Sequence, residues 1–130
     1  MASIFKDVLV DAPADRVWDA MRDVGAIHER LVRGFVTDCR MDGDARVVTF
    51  ANGLVARELI VDVDDSRRRV AWSARSERLQ HHNASLQAFE ENGGTRLVWV
   101  ADVLPHAMAP AIGAMVEQGL AAMKRTLEGS

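Results

Sequence analysis

The chain has 130 residues, 48% of them hydrophobic, and its 16 basic and 19 acidic side chains leave a net charge of -3. A domain of that length buries about two-thirds of its unfolded surface without a metal or disulfides, and the single cysteine, Cys39, has no partner for an internal bridge. Interspersed charge excludes the clustered basic face that nucleic acid requires, and no apolar N-terminal run reads as a signal peptide or membrane span. One domain over residues 1-130 is therefore expected, cytoplasmic, with no nucleic-acid partner and no membrane insertion.

Ile4 to Val10 reads as a first strand. Pro13 suits the first turn of a helix, where its missing N–H would have no helical acceptor, and Asp15 sets a carboxylate beside the positive end of the helix dipole. Val17, Met21 and Val24 share one face, and Gly25 interrupts it before a short second helix through Ile27 and Leu31, against which Trp18 is expected to pack. From Phe35 the pattern changes to strands. Phe35 to Met41 and Arg46 to Ala51 flank the turn Asp42-Gly43-Asp44, and Asn52-Gly53 follows, two residues that both tolerate the positive φ of a type I′ turn. Further turns are expected at Asp65-Ser66, Arg78 to Gln80 and Asn92-Gly93 or one residue earlier. Arg67-Arg68-Arg69 lies beside Asp64-Asp65 and reads as a solvated turn. Ala107 to Leu127 places Met108, Ile112, Met115, Gly119, Met123 and Leu127 on one stripe of a closing helix, with Pro110 early enough to be tolerated.

Side chains alternate along a strand and directly opposed residues share a face, so the turns determine which residues point inward. With a two-residue Asn52-Gly53 loop, Phe50 opposes Val55 and Val48 opposes Arg57. The inner face then holds Val48, Phe50, Val55, Arg57, Leu59, Trp72, Ala74, Ser76, His82, Ala84, Leu86, Leu97, Trp99 and Ala101. The other parity collects Glu58, Ser73, Arg75, Ser85, Gln87, Arg96 and Asp102, which suits solvent; a register one residue off would turn Glu58 inward in place of Arg57. Leu59, Trp72, Leu86 and Leu97 form a bulky row, while Ala74, Ser76, Ala84 and Ala101 leave volume that Met108, Ile112 and Met115 either fill or leave as a cavity.

Arg57 among Val48, Val55 and Leu59 would need a carboxylate or the polar group of a ligand. His82, beside Ser76, titrates near neutrality and suits either a hydrogen-bonded core position or a role orienting or protonating a carbonyl ligand. His81 points to the opposite face, so the adjacent pair does not share a metal. His28 adjoins Ile27 near the expected pocket mouth, His106 begins the closing helix, and Cys39 faces inward as an inert core residue. There is no GxSxG, P-loop, GxGxxG or HExxH motif, and no cofactor or metal is expected.

The order of one strand, two short helices, a six-stranded meander and a long helix, with the segments DVLVDAPADRVWDAMRDV, GTRLVWVADVLP and PAIGAMVEQGLAAMKRTLE, resembles the START-like (SRPBCC) superfamily in its polyketide cyclase/dehydrase and lipid transport branch. The resemblance implies an α+β helix-grip (Bet v 1-like) fold: a curved antiparallel sheet of about seven strands, two short N-terminal helices, and one long C-terminal helix over an internal cavity. It also implies that the inner strands and the helix stripe hold the ligand. The expected site residues are Phe50, Val55, Arg57, Trp72, Ala74, Ser76, His82, Ala84, Trp99, Ala101, Met108, Ile112 and Met115. Three functions fit: a non-catalytic binder or carrier of a polyketide-, lipid- or aromatic-like molecule; a cyclase, aromatase or dehydratase using His82 as acid/base and Arg57 to polarise a carbonyl; or an interaction module like the superfamily's chaperone-activator branch, working through the sheet exterior. Family cyclases line the cavity with tyrosine, arginine and tryptophan. This chain has no tyrosine, which favours the binder, as a monomer or homodimer.

Overall fold

The computed structural model describes residues 2–75 and 78–129. Seven strands form one curved antiparallel sheet: β1 (Ala2–Val10), β2 (Val36–Asp42), β3 (Ala45–Phe50), β4 (Val55–Asp64), β5 (Arg69–Arg75), β6 (His81–Glu91) and β7 (Gly94–Leu104). Their order is β1-β7-β6-β5-β4-β3-β2, so a six-stranded meander ends beside the first strand. Helices α1 (Ala14–Arg22) and α2 (Ile27–Arg30) follow β1, and α3 (Ala109–Glu128) follows a 3₁₀ turn at His106–Met108. This is the helix-grip fold expected from the element order.

Helix α3 buries Ile112, Val116, Leu120, Met123 and Leu127, a helical stripe that leaves Met108 and Met115 half-buried at its margin. Gly119 lies on that stripe for a steric reason. A Cβ there would sit 2.6 Å from the Trp99 ring and 3.3 Å from that of Phe35, so only glycine lets the helix approach the sheet this closely. Trp18 is buried on α1, and its indole N–H donates to Asp65 in the β4–β5 loop at 2.9 Å.

Two hairpins decide what faces the helix. At Asn92-Gly93 the loop has two residues, because Glu91 pairs with Gly94, and φ of 52° and 81° marks a type I′ turn. The β3–β4 loop, which carries the same dipeptide, is one residue longer. Phe50 N–H donates to the Leu54 carbonyl at 2.8 Å, which leaves Ala51, Asn52 and Gly53 in the loop, and of these only Gly53 has positive φ, 90°. Val48 therefore opposes Ala56, not Arg57. A one-residue change moves every side chain of the strand to the other face: Ala56, Glu58 and Ile60 point inward, while Val55 and Leu59 lie outside at 63% and 47% exposure. A β-bulge between Ile60 and Asp62 brings Val63 back against the core.

Trp72 and Ala74 keep their expected facing because they pair with Ile60 and Glu58. Their neighbours differ. Trp72 opposes Ala84, and Leu86 opposes Trp99, each crossing displaced by two residues from the expected rows. A two-residue displacement preserves the face and changes only the partner. The expected site residue Ser76 lies outside the described residues.

Candidate functional site

The reversed parity of β4 puts a charged pair inside the sheet. Arg46 and Glu58 stand directly opposite each other on β3 and β4, 5% and 8% exposed. Arg46 Nε donates to Glu58 Oε1 at 2.8 Å, Nη1 donates to the Val24 carbonyl at 3.2 Å, and the guanidinium carbon lies 5.4 Å from the Trp72 ring centroid. A carboxylate, a carbonyl and an aromatic face together replace much of the hydration that burial removes.

Glu58 in turn opposes Ala74 on β5, and Ser73 beside it opposes Asn83 on β6. Only the methyl of Ala74 thus stands between Glu58 and His82 along this row. His82 is 5% exposed, and neither ring nitrogen has a protein partner. Burial pushes its imidazole below the usual pKa; the nearby Glu58 carboxylate opposes that shift and His81 adds to it. Burial thus favours the neutral imidazole of His82. Trp99 packs edge-to-face on Trp72 with ring centroids 5.7 Å apart, and its Nε1 is also buried without a protein partner.

These groups line a cavity of about 50 Å³ between the sheet and the helices. The rest of its wall is apolar: Met21, Ile27, Leu31 and Val32 from the α1–α2 region, Phe35, Val36, Val48 and Phe50 around β2 and β3, Val70 and Leu86 from β5 and β6, and Met115 and Met123 from α3. One water needs about 10–15 Å³, so a cavity of this size has room for a few waters. A larger occupant requires side chains to move, and unbranched methionines do so at low cost.

Of the residues expected from sequence, Phe50, Trp72, His82, Trp99 and Met115 line this cavity. Ala84, Ala101 and Ile112 are buried in the core outside its wall, and Ala74 and Met108 are half-buried. Ala84 opposes both Trp72 and Ala101, so the small side chains lie beside an indole in the pleat where a gap was expected. Val55 and Arg57 are on the outer face. Arg57 is half exposed and pairs with the Asp42 carboxylate, so the buried cation is Arg46. A signal for this existed in the sequence: the two-residue loop would oppose Arg46 to Leu59, whereas the longer loop opposes it to Glu58, and only the latter matches opposite charges across the ladder. Leu31 and Phe35, expected at the end of the second helix and the start of a strand, lie with Val32 in the α2–β2 connection, where side-chain facing follows no periodicity.

Cys39 is buried, which raises its thiol pKa, as an inert core cysteine requires. His28 lies outside the cavity wall, with Nε2 3.5 Å from Glu29. Among the described residues no three His, Cys, Asp or Glu side chains cluster to hold a metal, and no helix is long and apolar enough to cross a membrane.

A family model described as polyketide cyclase / dehydrase and lipid transport matches residues 1–128. No curated protein sequence matches the chain. Among solved structures, the protein XoxI of Bacillus cereus superposes with TM-score 0.86 at 14% identity, covering 98% of this chain and 96% of that one. A Bacillus thuringiensis protein gives 0.85 at 14% identity over 97% and 98% of the two chains. A Thermobifida fusca protein, solved by NMR, gives 0.76 at 25% identity over 96% and 92%. Likeness at these identities establishes the fold.

Proposed function

Because the chain belongs to the polyketide cyclase/dehydrase and lipid transport family, we propose that it binds a small hydrophobic molecule in the cavity under α3 as a non-catalytic binder or carrier. The observation that carries this reading is an apolar wall interrupted by three buried polar atoms, His82 Nδ1 and Nε2 and Trp99 Nε1, that lack protein partners. Buried polar groups are nearly always hydrogen-bonded, and leaving one unmade costs about 1–3 kcal/mol. A ligand that supplies those partners gains what the folded chain forgoes. The catalytic alternative asked an arginine to polarise a carbonyl, but Arg57 faces outward and Arg46 is engaged by Glu58, which favours the binder.

The test is stoichiometric binding of an apolar fluorescent probe at about one site per chain. Met115→Trp, which thrusts an indole into the cavity from the helix side, should abolish it while the fold is retained by circular dichroism. Probe binding unchanged in that variant would mean a superficial site. Turnover decides between carrier and catalyst: a polyketide or enone converted by the wild type, with conversion lost and binding kept in His82→Gln, would replace the carrier reading.

A further inference from the structure

Resting on the cavity-binding reading, we propose that the occupant is a neutral apolar molecule ending in a hydroxyl group, a phenol or an alcohol, in preference to a carboxylate or an amine of the same size. The charges around the cavity already cancel. Its ionisable lining residues are Arg46, Glu58 and His82, and the first two are bonded to each other at 2.8 Å in a buried pair. A ligand carboxylate would add a charge without a counterpart or force a proton onto His82, whose burial favours the neutral imidazole. An ammonium would meet the same deficit with the opposite sign, beside a guanidinium.

Hydrogen-bond inventory narrows the choice further. A neutral imidazole brings one N–H and one lone pair, and an indole brings one N–H, so the unpartnered atoms of His82 and Trp99 amount to two donors and one acceptor. The two nitrogens of one imidazole point away from each other, so a single oxygen meets only one of them, and a hydroxyl can meet either, donating to the lone pair or accepting from the N–H. A ketone, an ether or a carboxylate only accepts, and would leave the imidazole lone pair unmatched. The groups that bear on His82 electrostatically are Glu58 on β4 and His81 on its own strand, and Glu58 is already held by Arg46. A volume of about 50 Å³ admits a single ring only after a methionine of the wall changes rotamer, so small probes are the appropriate test.

Toluene, phenol and benzoate, matched in size, are titrated at about pH 7.5 into the ¹⁵N-labelled full chain while the indole N–H signals of its three tryptophans are followed, with Trp99→Phe assigning the relevant one. Phenol is expected to bind about tenfold more tightly than toluene, the worth of one or two matched hydrogen bonds, and to shift the Trp99 N–H; benzoate is expected not to bind over the same range. His82→Leu should abolish the phenol preference, bringing phenol to the affinity that toluene shows in the same variant. Should that variant fail to fold, loss of the phenol preference in Trp99→Phe serves the same purpose. Equal affinity for phenol and toluene, or benzoate as tight as phenol, overturns this proposal while cavity binding stands. If none of the three binds, the cavity-binding reading itself fails and takes the proposal with it.

Discussion

Residues 57 and 58 are neighbours in β4, yet each belongs to a different ion pair on a different face of the sheet. Arg57 meets Asp42 on the outside with both side chains 54% exposed, and Glu58 meets Arg46 on the inside with side chains 11% and 6% exposed. The chemistry is the same, one guanidinium and one carboxylate, joined between neighbouring strands β3 and β4 inside and across β3, from β4 to β2, outside. Environment separates them: water and salt screen the outer pair, so either partner alone is content there, whereas neither inner charge tolerates loss of the other. The inner pair also sets the polarity of a cavity, of whose wall the outer pair is no part.

The largest effect should follow from breaking the inner pair on one side only. Glu58→Gln leaves a buried guanidinium uncompensated and is expected to lower stability by about 3–5 kcal/mol, read from the urea denaturation midpoint. Replacing both partners, Arg46→Met with Glu58→Leu, removes the desolvation cost together with the attraction and should recover most of that loss. A double variant no more stable than Glu58→Gln would show that the pair's neighbours, Trp72 and the Val24 carbonyl, carry the energy instead.

His82, the third polar member of the inner row, gives an effect that depends on pH. Its folded pKa lies below the ordinary imidazole value of 6.5, so the unfolded chain takes up this proton first. The associated stability is fully present above about pH 6.5 and is lost as pH falls toward the lowered folded value. His82→Leu should flatten that part of the stability profile relative to wild type; an identical acid limb in both proteins would assign it to other groups.

The smallest effect is expected at Arg57→Ala. Asp42 loses the partner that holds its carboxyl below the usual range but stays hydrated, so the denaturation midpoint should not move measurably, and apolar-probe affinity should be unchanged. A large drop in either would return Arg57 to the site from which the outward register excludes it.

Much of the fold was legible along the chain. Strands, helices and their order follow from alternation, from the Pro13 and Gly25 signals and from the α3 stripe, because each is a local pattern that survives packing. Facing came out as expected for Trp72, His82 and Trp99, while their cross-strand partners differ from the expected rows because a turn can have more than one solution. At Asn52-Gly53 it had two. A type I′ turn and a three-residue hairpin both place glycine at positive φ, and whether Ala51 ends the strand or opens the loop is not encoded in the dipeptide. The error there exchanged Arg57 for Glu58 and hid Arg46, for which no facing had been assigned.

The sequence by itself determined a curved antiparallel sheet gripped by one long helix, with an inner face able to surround a ligand, since binary patterning and turn chemistry act over a few residues. Only the tertiary structure decided which charge lies inside and that the cavity wall is drawn from the α1–α2 region and the bulky side chains, not from the alanines. Those outcomes depend on pairing residues far apart in the chain, where one loop residue reverses a strand and the burial of a charge is tolerated only when its counterpart arrives opposite it.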